Sequence, residues 1–208
     1  MDQDRSTLII FDWDDTLLPT SWLSSQKILM DPTTTPTEEA AVILAEISES
    51  VLALLRRAQM HGLVIIVTNG VAGWVELTCA RFLPTCQSLI DTIPIVSARS
   101  SYELYSKSPI EWKVRAFRAE LGPATNIVSI GDSECERLAV ATLVGQGRTI
   151  KSLKLDEKPS PAQLQSQFVM LGKIMDGIVM HTANIDIVCN SLIEKKVEET
   201  EELYDIYA

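Results

Sequence analysis

The chain has 208 residues, 46% of them hydrophobic, enough to bury the core of one globular domain. Its formal net charge of −10 argues against a general affinity for nucleic acid or an anionic membrane, whose phosphates such a surface repels.

In chain order, short apolar runs predict strands over residues 7–12, 63–68, 93–98, 127–130 and 149–155. The clearest helix begins at TPTEE, with Thr35 as N-cap, Pro36 at the first helical position and Glu38 completing a capping box. It carries Ala40, Ile43, Leu44, Ile47, Val51, Leu54, Leu55 and Ala58 on one face and stops before Gly62. Further helices are expected over residues 71–82, 109–121 and 161–180. Strands alternating with helices predict an α/β fold, a three-layer α/β/α sandwich on a mainly parallel Rossmannoid sheet. The Thr- and Pro-rich stretch from Pro19 to Pro36 reads as the main irregular loop. Residues 1–190 are expected to form the core domain and residues 191–208 a charged helix or tail, with Ile193, Val197, Tyr204 and Tyr207 as a docking stripe.

Cys79, Cys86, Cys135 and Cys189 show neither CxxC pairing nor His-bearing ligand spacing and read as reduced thiols. The N-terminus carries acids where a secretory signal would carry Lys or Arg, and no window reaches a transmembrane length. The expected compartment is the cytoplasm, with the nucleus as the alternative, and no membrane or nucleic-acid partner is expected.

In open α/β sheets ligands bind beyond the carboxyl ends of the strands, so the residues just after each run are candidates for function. The first run ends in Asp12-Trp13-Asp14-Asp15-Thr16, the second in Thr68-Asn69-Gly70, and the fourth in Gly131-Asp132-Ser133-Glu134-Cys135-Glu136. Carboxylates crowded at a strand end repel one another and resist desolvation, and a divalent cation is the usual compensation. Together these ends offer carboxylates for a hard cation and a hydroxyl and amide for a phosphoryl oxygen; Lys107 or Lys113 adds an ammonium. Each motif alone has a plainer reading: DxD as a solvated loop, TNG as a turn, GDS as an N-cap. Their order and spacing in one chain favour the chemical one.

The residues from Thr7 to Leu143 resemble the haloacid dehalogenase-like superfamily, in which most members are Mg²⁺-dependent phosphotransferases working through an aspartyl-phosphate. The resemblance is carried by DWDDT, VTNG and IGDSECE. It implies Asp12 as nucleophile, Asp14 as general acid and base, Thr68 with Asn69 as holders of a phosphoryl oxygen, and Asp12, Asp14, Asp132 and Glu136 as the Mg²⁺ site. Lys113, opening a helix before the fourth motif, is the better match for the family's lysine; Lys107, followed by Ser108 and Pro109, resembles a variant placement. Glu136 stands where many relatives have Asp, so its longer arm would reach the metal directly or through water. Asp15 is expected to cap the turn or helix that follows it.

The chemistry fits the spacing: an acyl-phosphate on a carboxylate splits a difficult ester hydrolysis into two easier steps, with a second carboxylate handling protons. Trp13 and Trp22 are expected to pack rather than react, His61 and His181 to be structural or exposed, and Cys135 to be an unreactive thiol. The intervals between motifs are filled by core elements, leaving no room for a large cap domain. That predicts an open site acting on a macromolecular phosphorylated substrate such as a phosphoprotein, or covered by another subunit of a homo-oligomer. The alternative function is a catalytically silent interaction module or a subunit of a larger complex.

Overall fold

The computed structural model describes residues 6–31, 33–145 and 147–189. Its elements, in chain order, are β1 (Thr7–Phe11), α1 (Thr20–Ser25), α2 (Glu38–Gln59), β2 (Leu63–Thr68), α3 (Trp74–Phe82), α4 (Gln87–Ile90), β3 (Ile95–Ser97), α5 (Ala98–Tyr102), α6 (Pro109–Glu120), β4 (Asn126–Gly131), α7 (Glu134–Ala141), β5 (Thr149–Lys154), α8 (Pro161–Met180) and β6 (Ile185–Val188). A 3-10 turn over Pro84–Cys86 joins α3 to α4.

The strands form one sheet in the order β3-β2-β1-β4-β5-β6, every adjacent pair parallel. The central strands read as nearly unbroken apolar runs because helices cover both faces. Alternate side chains divide between two cores. Ile9, Phe11, Val64, Ile66, Val128 and Ile130 pack with α2 residues such as Ile47 and Val51 and with Leu164, Phe168 and Leu171 of α8. Leu8, Ile10, Ile65, Val67 and Ile127 pack with Ala116 and Phe117 of α6 and Ala139 and Val140 of α7. The result is a three-layer α/β/α sandwich. Each buried Val, Leu, Ile or Phe side chain among these contributes about 1.5–3 kcal/mol.

The chain winds outward from β1 in two directions, through β2 and β3 on one side and β4, β5 and β6 on the other. The crevice where the winding reverses lies beyond the carboxyl ends of β1 and β4, where open sheets of this kind bind ligands.

Several expected boundaries moved. The cap of α2 is Thr37, whose hydroxyl accepts from the Ala40 amide at 3.2 Å; Thr35 and Pro36 lie before the helix and the expected capping box does not form. Thr35 and Thr37 offer the same chemistry two residues apart, so composition does not choose between them. Helix α3 begins at Trp74, after Gly73 turns the chain at φ +84°, a conformation that costs glycine little. The loop from Pro19 contains α1. Strand β6 was not expected: it is a four-residue edge strand with only alternate residues partly covered. The tail over residues 191–208, with its stripe of Ile193, Val197, Tyr204 and Tyr207, lies outside the described residues. Among the described residues no cap domain is inserted between the strands, and no helix is long and apolar enough to cross a membrane.

Two anchors hold the periphery. Arg81 at the end of α3 donates to the carbonyls of Leu29, Asp31 and Thr34, fixing the path of the loop between α1 and α2. Gly62 lets the turn into β2 touch β1: a Cβ there would stand 2.4 Å from the Thr7 carbonyl oxygen. Because that obstacle is backbone, it cannot rotate away. Gly62→Ala is therefore expected to cost about 1–3 kcal/mol, read as a lower urea midpoint with an unchanged slope. An unaltered midpoint would contradict the close approach.

Candidate functional site

The stretch after β1 sends its side chains to different destinations. The Asp12 amide still donates to the Ile130 carbonyl at 2.9 Å, so the sheet extends one residue past Phe11. The chain then turns tightly, with the Leu17 and Leu18 amides donating to the Trp13 carbonyl and Asp15 at φ +53°. Trp13 is fully buried in the core, its indole N–H donating to Thr78 Oγ1 at 2.9 Å. Asp15 accepts from the Ser21 amide at 2.8 Å and from its hydroxyl, anchoring α1 as expected of a capping residue.

Asp12 and Asp14 are left for the crevice. Asp12 Oδ1 lies 2.7 Å from Lys113 Nζ, and Lys113 has no solvent exposure. The same ammonium lies 2.8 Å from Glu136 Oε1 and donates to the Val67 carbonyl at the end of β2. Three N–H donors meet three acceptors, so the buried charge is fully satisfied. Lys107 is exposed and takes no part in this cluster.

Glu136 is placed by local chemistry. Ser133 caps α7, and the reciprocal capping box closes when Glu136 Oε2 accepts from the Ser133 amide at 3.2 Å and its hydroxyl at 2.6 Å. Gly131 makes room: a Cβ there would stand 2.4 Å from Glu136 Cγ. With one oxygen on Lys113 and the other on Ser133, Glu136 chiefly holds the lysine.

Oxygen atoms of Asp12, Asp132 and Glu136 all lie within 4.8 Å of one another, a group that could hold a metal ion. Adjacent oxygens around a hard cation bound octahedrally at 2.0–2.1 Å stand about 2.9 Å apart and opposite ones about 4.2 Å, so the three carboxylates would draw together on such an ion. The donor set, hard carboxylate oxygens without His or thiolate, suits Mg²⁺-like ions rather than soft metals. The Asp14 carboxylate, expected among the ligands, stands outside this group. Its oxygens accept from Thr20, Trp74 and Thr68 instead.

Charge in the site is unbalanced: four carboxylates, Asp12, Asp14, Asp132 and Glu136, face one ammonium. Burial works against the charge on Glu136, but the Lys113 charge and hydrogen bonds prevail and hold it below its ordinary value. Burial likewise opposes the charge on Lys113, yet Asp12 and Glu136 keep it firmly protonated. Asp12 is pushed well above its ordinary value by burial, against the pull of Lys113, and the neighbouring carboxylates add to the rise. Asp132 is pushed up to about 7, by burial first and then by Glu136 and Asp15. A cation bound here would displace protons from both.

Thr68 is buried at the end of β2, accepting from the Gly70 amide at 2.8 Å and donating to Asp14 Oδ2 at 3.3 Å. Asn69 reaches the Pro109 carbonyl at 3.5 Å, and its Oδ1 is buried with no donor among the described residues. Trp22 packs against the core, His61 pairs with Asp176 at 2.8 Å, and His181 is exposed after α8. Burial raises the Cys135 thiol, which keeps it from thiolate chemistry. Sequence reasoning did not find Thr20 or Trp74 as partners of Asp14, nor Ser133 as the holder of Glu136. The last carried a readable signal, the S-x-x-E pattern of Ser133 and Glu136. Comparison of the chain with protein-family models, curated proteins and solved structures returned no match.

The raised Asp132 value fixes a sign. A carboxyl with a folded value near 7, against an ordinary 3.8, contributes stability that is fully present below 3.8 and lost as pH rises toward 7. A divalent cation needs the ionised form, so its stabilisation grows over the same window. At a cation concentration about ten times the dissociation constant, the gain above pH 7 is about 1.4 kcal/mol. That is roughly 3–6 °C in Tm for a chain of this size, and the rise should be much smaller at pH 5. Asp132→Asn should remove the difference. An equal rise at both pH values, or none, would count against a cation site.

Proposed function

We propose that this chain is a Mg²⁺-dependent phosphatase of the haloacid dehalogenase-like kind, hydrolysing a phosphomonoester through an aspartyl-phosphate on Asp12. The observation that carries the reading is the buried Lys113 ammonium seated on Asp12 Oδ1 beside the Asp132 and Glu136 carboxylates. This arrangement neutralises a nucleophile and the group it attacks at one point.

In the first step a carboxylate oxygen of Asp12 attacks phosphorus and the ester P–O bond breaks. Its electron pair leaves with the departing oxygen, which takes a proton from Asp14. In the second step water attacks phosphorus, Asp14 takes a proton from it, and the bond to Asp12 breaks to release inorganic phosphate. Lys113 offsets charge on Asp12 and on the phosphoryl oxygens in both steps. Thr68, with one O–H, turns from Asp14 to a phosphoryl oxygen, and Asn69 lies next to it as a second polar holder. Mg²⁺, held by Asp12 and Asp132 and backed by Glu136, would supply orientation and charge compensation for the phosphoryl group.

A substrate must also exclude water. Without a cap among the described residues, a macromolecular surface such as a phosphoprotein is the favoured cover, and a second subunit the alternative.

Two experiments test the reading. Asp12→Asn should lose all turnover of an aryl phosphate in Mg²⁺ while retaining its fold. Lys113→Met should lose about a hundredfold or more in kcat, with Lys107→Ala near wild type. Wild-type rates in Asp12→Asn would end the nucleophile assignment. Separately, kcat/KM should be higher for phosphopeptides than for small sugar or nucleotide phosphates. A monomer that strongly preferred a small metabolite would refute the macromolecular substrate.

A further inference from the structure

The proposed proton carrier is gripped unevenly. Thr20 Oγ1, at the start of α1, donates to Asp14 Oδ1 at 2.7 Å. The Trp74 indole N–H, at the start of α3, spans both oxygens at 2.9 Å to Oδ1 and 3.2 Å to Oδ2. Thr68 adds the longest contact, 3.3 Å to Oδ2. Oδ1 thus takes the two shortest bonds, and Oδ2 the two longest.

The chemistry of the donors sharpens the difference. An indole N–H donates and never accepts, so Trp74 can hold a carboxylate but cannot take its place in a proton relay. Thr68 has a single O–H, and in the proposed reaction that hydrogen turns to the phosphoryl group. Oδ2 then keeps only the longer branch of the Trp74 contact, on the side from which Thr68 has turned away. Trp74 is itself fixed against Gly70, where a Cβ would stand 2.5 Å from the ring Cδ1.

We infer that Trp74 and Thr20 are positioning residues that anchor Asp14 through Oδ1 and leave Oδ2 as the oxygen that exchanges protons. The inference rests on the phosphatase reading and deepens it by assigning the working oxygen and the residues that present it. When the ester P–O bond breaks, the leaving oxygen takes the proton from Oδ2. When water attacks phosphorus, its proton returns to Oδ2 and the bonding pair returns to Asp12. Alkyl esters, whose leaving oxygen needs a proton as it departs, depend on this anchor. Activated aryl esters, whose phenolate leaves unaided, do not.

The test compares kcat/KM, which reports every step through departure of the alcohol, for phosphoserine and nitrophenyl phosphate in the full chain. Trp74→Phe keeps a ring without the donor; Thr20→Val keeps the shape without the hydroxyl; Thr20→Ser restores it. The first two variants should lose about tenfold or more on phosphoserine and less than about threefold on nitrophenyl phosphate. Thr20→Ser should match wild type on both. Partial misfolding lowers both rates together and does not mimic this split, and if Trp74→Phe fails to fold, the Thr20 pair carries the comparison. Equal losses on both esters, or no loss, overturn the anchor. Asp14→Asn, assayed alongside, separates the two levels. If it spares phosphoserine turnover, or if the wild type hydrolyses neither ester, the phosphatase reading falls and the anchor with it. If it is selective for phosphoserine while Trp74→Phe and Thr20→Val are not, only the anchor falls.

Discussion

An ammonium with no exposure to water sits at the centre of this molecule, and its needs dictate much of what surrounds it. Desolvating such an ion costs several kcal/mol, which is offset only when each N–H finds a well-placed acceptor. The three acceptors come from the end of β1, the end of β2 and the first turn of α7, while α6 carries Lys113 itself. Four elements distant in sequence therefore have to converge within hydrogen-bonding distance of one nitrogen. Removing one acidic partner would leave the other elements holding a stranded charge, worth about 3–5 kcal/mol in comparable buried pairs. The same point is short of positive charge overall, since one lysine cannot satisfy four carboxylates. The fold has assembled a buried carboxylate cluster that favours either protons or a cation.

The sheet explains why the acids meet there. Strands β1 and β4 are neighbours although more than a hundred residues separate them, and the connections leaving them run to opposite sides. Side chains just past these two strands, Asp12 and Asp132, face a gap that no crossover covers. The period of two along the chain does the rest: Trp13 turns into the core between two residues that turn out of it. One indole therefore braces the turn that carries both acids.

Much of this was legible in the residues. Buried parallel strands announce themselves as unbroken apolar runs, and α8 spans the residues 161–180 that the sequence predicts. The acids at the ends of β1 and β4 were legible because nothing but chemistry or solvent explains carboxylates after such runs. Lys113 was already the better match in the sequence, and the structure adds what spacing could not show: Lys113 is buried on Asp12 while Lys107 is exposed. Trp74 and Thr20 were invisible as partners of Asp14: the Trp74 bond spans 60 residues, and the Thr20 bond, though only six residues apart, crosses an irregular turn, so neither leaves a periodic trace. Strand β6 escaped for a related reason, being stabilised by pairing with β5 rather than by its own composition.

The anchoring of the loop between α1 and α2 has a consequence of its own. Arg81 hydrogen-bonds that loop through main-chain oxygens, at Leu29, Asp31 and Thr34, and its charge also attracts the Asp31 carboxylate. Every amino acid carries a main-chain oxygen. Those hydrogen bonds do not depend on which side chains the loop displays, Asp31 apart, whose carboxylate accepts from the Thr33 amide and the Thr33 and Thr34 hydroxyls. Met30, almost wholly exposed between two of the gripped residues, can be exchanged for a residue of other size or charge without loosening the hold. A loop held largely by its main chain lets a protein alter what it meets at its surface while leaving its interior untouched.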